Sequence, residues 1–212
     1  MYCRFGEWRG VVAICALLIA GSAMAADVPP LDAPRANIVQ RTDVVRDSFR
    51  DRFEFRFGGG AHGVGSIESG TVDLNAELIF PQLHLFDWQA DPSLAWLMPR
   101  INVGGMANLS GRTSYLYAGF LWTYEFTNRL FLEGFLGGAV HNGSINGDPA
   151  NHMAALGCHQ LFHVGTSLGY RVTSQWSMMF TFAHVSNGNA VLDGCGRNQG
   201  LNEYLVRAGY SF

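Results

Sequence analysis

The chain has 212 residues, of which only 15% are charged while 13% are aromatic, and it holds 26 glycines and no lysine. A net charge of −3 offers no basic surface, which argues against a nucleic-acid partner. Few charges among many glycines and aromatics suit a membrane β-barrel better than a soluble domain.

The first predicted element is a secretory signal over residues 1–25. Arg4 and Arg9 precede the apolar run 11–20, and Ala23-Met24-Ala25 supplies the small residues of a cleavage site. No other stretch approaches the ~18 consecutive apolar residues of a spanning helix, so the mature chain is expected to be either soluble and exported or a barrel. Cleavage removes Cys3 and Cys15 and leaves 12 arginines against 16 carboxylates, a net charge of −4. Residues 26–50, with three prolines and mixed charge, read as a leader segment with a short helix near Val39–Arg50.

From residue 51 to 212 the chain alternates. Strands are predicted at 52–62, 71–83, 95–109, 114–126, 129–141, 159–172, 175–187 and 201–212. Phe53, Phe55 and Phe57 oppose Glu54 and Arg56, and Val72, Leu74, Ala76, Leu78 and Phe80 oppose Asp73, Asn75 and Glu77. Eight such segments specify an all-β, eight-stranded antiparallel transmembrane barrel with charges pointing inward and apolar rows meeting hydrocarbon. The same polarity argues against a soluble barrel with an apolar, ligand-binding lumen.

Residues 127–129 and 172–174 are tight turns, whereas 142–158 and 188–200 are long and rich in Gly, Asn and Asp. Short turns on one side and long loops on the other are the outer-membrane pattern, although the 84–94 connection is long for the short-turn side. Cys158 and Cys195 fall in or beside the two long loops on one predicted side. A single disulfide bracing those loops is the natural reading in an oxidising compartment, though the sequence does not set the distance between them. His152, Cys158, His159 and His163 lack paired metal-ligand spacing, so no metal is expected there. His62, His84 and His141 read as interfacial or lumen residues. Gly165-Thr166-Ser167-Leu168-Gly169 spells a nucleophile-elbow string, but inside an alternating strand it reads as barrel wall.

The last two strands carry chemistry. Met178, Phe180, Phe182, His184 and Ser186 share one face, and at about 6.5–7 Å between Cα atoms the imidazole is placed to activate the hydroxyl. On a lipid-facing row this pair points to a lipid substrate. Asn187 and Asn198 are candidates for oxyanion or loop-holding roles, beside Gly200.

His184-Val185-Ser186-Asn187, then Asn198-Gln199-Gly200-Leu201 and a strand ending Tyr210-Ser211-Phe212, resemble the lipid A 3-O-deacylase family, PagL-type. The resemblance covers about the last 30 residues. It implies an outer-membrane esterase of a Gram-negative bacterium that removes the 3-linked acyl chain of lipid A in lipopolysaccharide. Ser186 would be the nucleophile and His184 the base, with no cofactor. A terminal Phe212 implies engagement by the barrel-assembly machinery.

The family's acidic third member falls here on Asn202, with Glu203 one place later. Register puts Asn202 on the lipid-facing row with Tyr204 and Val206, and Glu203 on the lumen row with Arg207. Asn202 is thus the orienter that alternation predicts, unless a β-bulge near Leu201 brings Glu203 round. The other reading is a non-enzymatic barrel, an adhesin or structural protein, that has lost a working third residue.

Overall fold

The structure, a computed structural model, describes residues 49–83, 85, 94–189 and 195–212. The expected signal, nearly all of the leader and His84 lie outside them. Eight strands follow in order: β1 Glu54–His62, β2 Thr71–Gln82, β3 Arg100–Asn108, β4 Tyr115–Glu125, β5 Leu130–His141, β6 Gln160–Arg171, β7 Trp176–Ser186 and β8 Leu201–Ser211. Each pairs antiparallel with its neighbours, and β1 also pairs with β8 from Glu54↔Ser211 to Ala61↔Tyr204. Closure leaves the sheet no free edge, the condition for crossing hydrocarbon with strands.

Seven strands start and end within two residues of the expected bounds; the third does not. It begins at Arg100 rather than residue 95, because Ala95–Leu97 form a 3-10 turn and Pro99 offers no N–H to a ladder. Gln82 clasps that turn, its Nε2 donating to the carbonyls of Ala95 and Met98 at 2.6 and 2.8 Å. The β2–β3 register also shifts between Ile79 and Gln82.

The period-2 pattern decides which face meets lipid. Phe55, Phe57, Leu74, Leu116, Phe180 and Val206 are exposed on the wall, whereas Glu54, Arg56, Asp73, Glu77, Glu133 and Arg207 are buried in the lumen. Buried charge is costly unless paired, and the arginines of the lumen are paired with carboxylates. The Arg56 guanidinium bonds Glu133 through two nitrogens at 2.7 Å each and reaches Glu54 at 2.9 Å. Arg207 donates to Glu77 at 2.8 Å, to Asn75 at 3.3 Å and to the hydroxyls of Thr181 and Ser167. Toward the long-loop end the filling turns apolar and aromatic, with Met106, Tyr115, Tyr117, Leu156 and Leu205 packed together. At the short-turn end Phe49 is buried, with the Arg171 guanidinium 4.4 Å above its ring.

Candidate active site

Trp176, Met178, Phe180, Phe182, His184 and Ser186 alternate with buried Ser177, Met179, Thr181, Ala183 and Val185, so the histidine and serine stand on the outer wall. Both are half-buried and lie at the long-loop end of β7. The β7–β8 ladder runs without a break through Ala183↔Glu203, His184↔Asn202 and Val185↔Leu201. No bulge turns Glu203 outward.

Asn202 therefore stands directly across from His184, and its Oδ1 lies 2.8 Å from the ring Nδ1. Its own Nδ2 donates to the carbonyl of Val64 at 3.2 Å, while the Val64 N–H donates to the Asn202 carbonyl at 2.8 Å. An amide has one acceptor end and one donor end, so the Val64 carbonyl fixes which end meets the imidazole. The oxygen end does, which holds the proton on Nδ1 and leaves Nε2 as the free base.

Glu203 occupies the lumen face, fully buried, 3.3 Å from His62 Nδ1 and accepting the Gly63 N–H at 3.2 Å. It is not brought to His184. His62 also meets Asp73 and Glu68, and among the described residues His62, Asp73 and Glu203 are the group of donors close enough together to hold a metal ion. Burial alone would raise the Glu68 carboxyl, but hydrogen bonds from His62, Thr113 and Ala154 outweigh it and hold the group below its ordinary value.

Gly200 has φ +57°, and a β-carbon there would stand 2.9 Å from His184 Cε1 and 3.4 Å from Nε2. The glycine gives the ring its space as well as the chain its turn. The two long loops are stitched together beside it. Cys158 and Cys195 form a disulfide, Gln199 accepts the Ala155 N–H at 2.6 Å, and Asn187 Nδ2 donates to the carbonyls of Leu156 and Arg197 at 3.0 Å each. Both hydrogens of the Asn187 amide are engaged, so Asn187 holds loops. Asn198 Oδ1 accepts the Asn187 N–H at 3.3 Å.

The other sequence candidates separate. Ser167 is buried in the lumen, bonded to Thr181 and Arg207. His163 is buried against Tyr117 and Phe135, apart from the disulfide-bonded Cys158 and the exposed His159. Sequence reasoning missed Val64, whose backbone carbonyl has no sequence signature, and it read His62 without its three carboxylates.

Closed antiparallel topology, an apolar outer wall and a paired ionic lumen define an eight-stranded outer-membrane β-barrel. The sequence profile of lipid A 3-O-deacylase (PagL) matches residues 74–211, and the chain belongs to that family. Among solved structures, the crystal structure of the outer membrane enzyme PagL superposes with a TM-score of 0.54 at 16% identity, covering 75% of this chain and 99% of that one. The N-terminal β-barrel domain of Pseudomonas aeruginosa OprF gives a TM-score of 0.49 at 11% identity, covering 77% and 98%. No curated protein matches the chain.

Proposed function

We propose that this barrel hydrolyses the 3-O-linked acyl ester of lipid A, with Ser186 as nucleophile and His184 as base. The observation that carries the reading is the His184–Asn202 pair at 2.8 Å on the same outward row as Ser186. Ser186 Oγ attacks the ester carbonyl while its proton passes to His184 Nε2. Collapse of the tetrahedral intermediate releases the 3-alkoxide of the sugar, which takes that proton back. Water, activated by the same nitrogen, then frees the fatty acid and restores the serine.

Family membership supports the substrate class, and an outward site in the lipid-facing wall supports a substrate that never leaves the bilayer. Of the two asparagines Asn198 is the oxyanion candidate, because both amide hydrogens of Asn187 are engaged by loop carbonyls. The N-terminal 25 residues direct export, and the strand ending in Phe212 engages the barrel-assembly machinery.

Asn202 also favours a second reading, a barrel that has lost catalysis, because an amide does not stabilise imidazolium as a carboxylate does. Mass spectrometry of lipid A exposed to the folded protein and to Ser186→Ala separates the two. Loss of one 3-linked acyl chain with wild type alone supports the esterase. Unchanged lipid A, where an active control deacylates it, sinks that reading in favour of the second.

A further inference from the structure

Behind the wall that carries His184 and Asn202, four ionisable side chains meet in the lumen. His62 ends β1, Asp73 is near the start of β2, Glu203 is near the start of β8, and Glu68 comes from the connection between β1 and β2. All four are fully buried. Asp73 Oδ2 lies 2.8 Å and Glu203 Oε1 3.3 Å from the same atom, His62 Nδ1, while Glu68 Oε2 lies 3.0 Å from Nε2.

One ring nitrogen carries at most one hydrogen and cannot serve two carboxylates well. Asp73 is at hydrogen-bond distance from it, and Glu203 Oε1 is left buried with no hydrogen-bond partner. With all three carboxylates ionised, the group is two charges negative even with His62 protonated. Among the described residues the hydrogen bonds to these carboxylates come from Asn108, Gly63, Thr113, Ala154 and His62, and none comes from an arginine. An uncompensated buried charge is strongly destabilising. A divalent ion in place of the His62 proton, at the point where the three donors converge, would balance Asp73 and Glu203 and leave a single negative charge on Glu68.

We propose that His62 Nδ1, Asp73 and Glu203 bind a divalent transition-metal ion of the zinc type. Their donor atoms all lie within 4.8 Å of one another, so small movements bring them onto one ion. One imidazole and two carboxylates are a donor set of the kind zinc accepts, whereas calcium and magnesium favour oxygen throughout. With His62 neutral, the ion and its two carboxylates sum to zero charge, and the remaining charge on Glu68 is met by hydrogen bonds from Thr113 and Ala154. Glu68 then takes the Nε2 hydrogen, fixing the tautomer that points the Nδ1 lone pair at the metal, the arrangement in which a carboxylate supports a ligating histidine from behind. Glu68 is itself held by the Thr113 N–H and hydroxyl and by the Ala154 N–H at 2.8–2.9 Å.

The ion ties together the ends of β1, β2 and β8. Glu203 is the neighbour of Asn202, and the same 63–70 connection supplies the Val64 carbonyl that orients Asn202. Binding therefore stiffens the support of the His184 pair without touching substrate. Because the group is sealed from solvent, the ion loads as the barrel folds and exchanges slowly.

The full-length mature protein is refolded in detergent with zinc chloride or with EDTA, desalted, and its metal content measured by plasma mass spectrometry. Folding is checked by heat-modifiable gel mobility. The expected result is about one zinc per folded barrel, a higher Tm than the EDTA-refolded protein, and loss of both in Glu203→Gln and Asp73→Asn. Glu68→Gln weakens zinc by about 10–100-fold without abolishing it. His159→Ala, on an exposed loop, retains the ion. Folded wild type without zinc overturns the proposal, as does zinc retained by a folded Glu203→Gln barrel or lost from His159→Ala. Metal content is read without lipid A, so this result and the fate of the esterase reading are independent.

Discussion

Gly200 lies edge-on against His184, with no room for a side chain between its α-carbon and the Cε1–Nε2 edge of the imidazole. The contact joins the end of the 187–200 loop to the ring nitrogen proposed as the base. Gly200→Ala places a methyl 2.9 Å from Cε1 and asks an alanine to hold φ +57°. The left-handed backbone alone costs about 1–2 kcal/mol, and the ring must rotate away from Asn202. We expect deacylation to fall at least about tenfold, 1.4 kcal/mol in the barrier. Gel mobility of the folded barrel should be unchanged.

Asn202→Asp is expected to raise activity. The carboxylate accepts from His184 Nδ1 as the amide oxygen does, and it also stabilises the imidazolium formed when Ser186 is deprotonated. A gain in kcat of about tenfold or more, with KM little changed, is the expected signature. A fall would mean that the amide's bond to Val64 matters more than charge.

Asn187 and Asn198 should part company. Asn187→Ala removes two hydrogen bonds to Leu156 and Arg197 and loosens both long loops. Its effect should appear as faster proteolysis of the 187–200 segment. Asn198→Ala gives up only the 3.3 Å bond from the Asn187 N–H and should instead lower kcat by about 10²-fold or more, the cost of one oxyanion donor, with little change in proteolysis. Limited trypsin digestion beside steady-state kinetics distinguishes the two.

The Cys158–Cys195 disulfide spans 37 residues, for which loop closure contributes about 3–4 kcal/mol. Strand pairing does not depend on it. The double serine variant should remain a barrel by circular dichroism, while trypsin cuts at Arg197, exposed in that loop, much faster than in the oxidised protein.

Arg207→Met leaves Glu77 buried with its nearest remaining cation, Arg56, at 3.8 Å. Breaking such a pair costs about 3–5 kcal/mol. Urea unfolding in detergent should show that loss. The double variant Arg207→Met/Glu77→Met should recover part of it, because no unpaired charge remains.

Much of this was legible in the sequence because a strand writes its two faces into the chain at period two. That pattern located seven strands to within two residues, sent Glu54, Arg56, Asp73 and Glu77 inward, and put His184, Ser186 and Asn202 on one side and Glu203 on the other. It erred at residues 95–99, where an apolar stretch looks the same in a 3-10 turn as in a strand until Pro99 and the Gln82 clasp are seen.

The sequence by itself thus determined the number of strands, the face each residue takes and the shared outward row of His184, Ser186 and Asn202, since these follow from local alternation, whereas the pairing of His184 with Asn202 is a register that only the folded β7–β8 ladder shows. The tertiary structure alone decided which end of the Asn202 amide meets the imidazole, why position 200 must be glycine beside the ring, and that His62 meets three carboxylates. Those outcomes depend on a backbone carbonyl at Val64, 138 residues from Asn202, and on side chains from three strands and a loop. Contacts between groups so far apart along the chain leave no periodic trace within it.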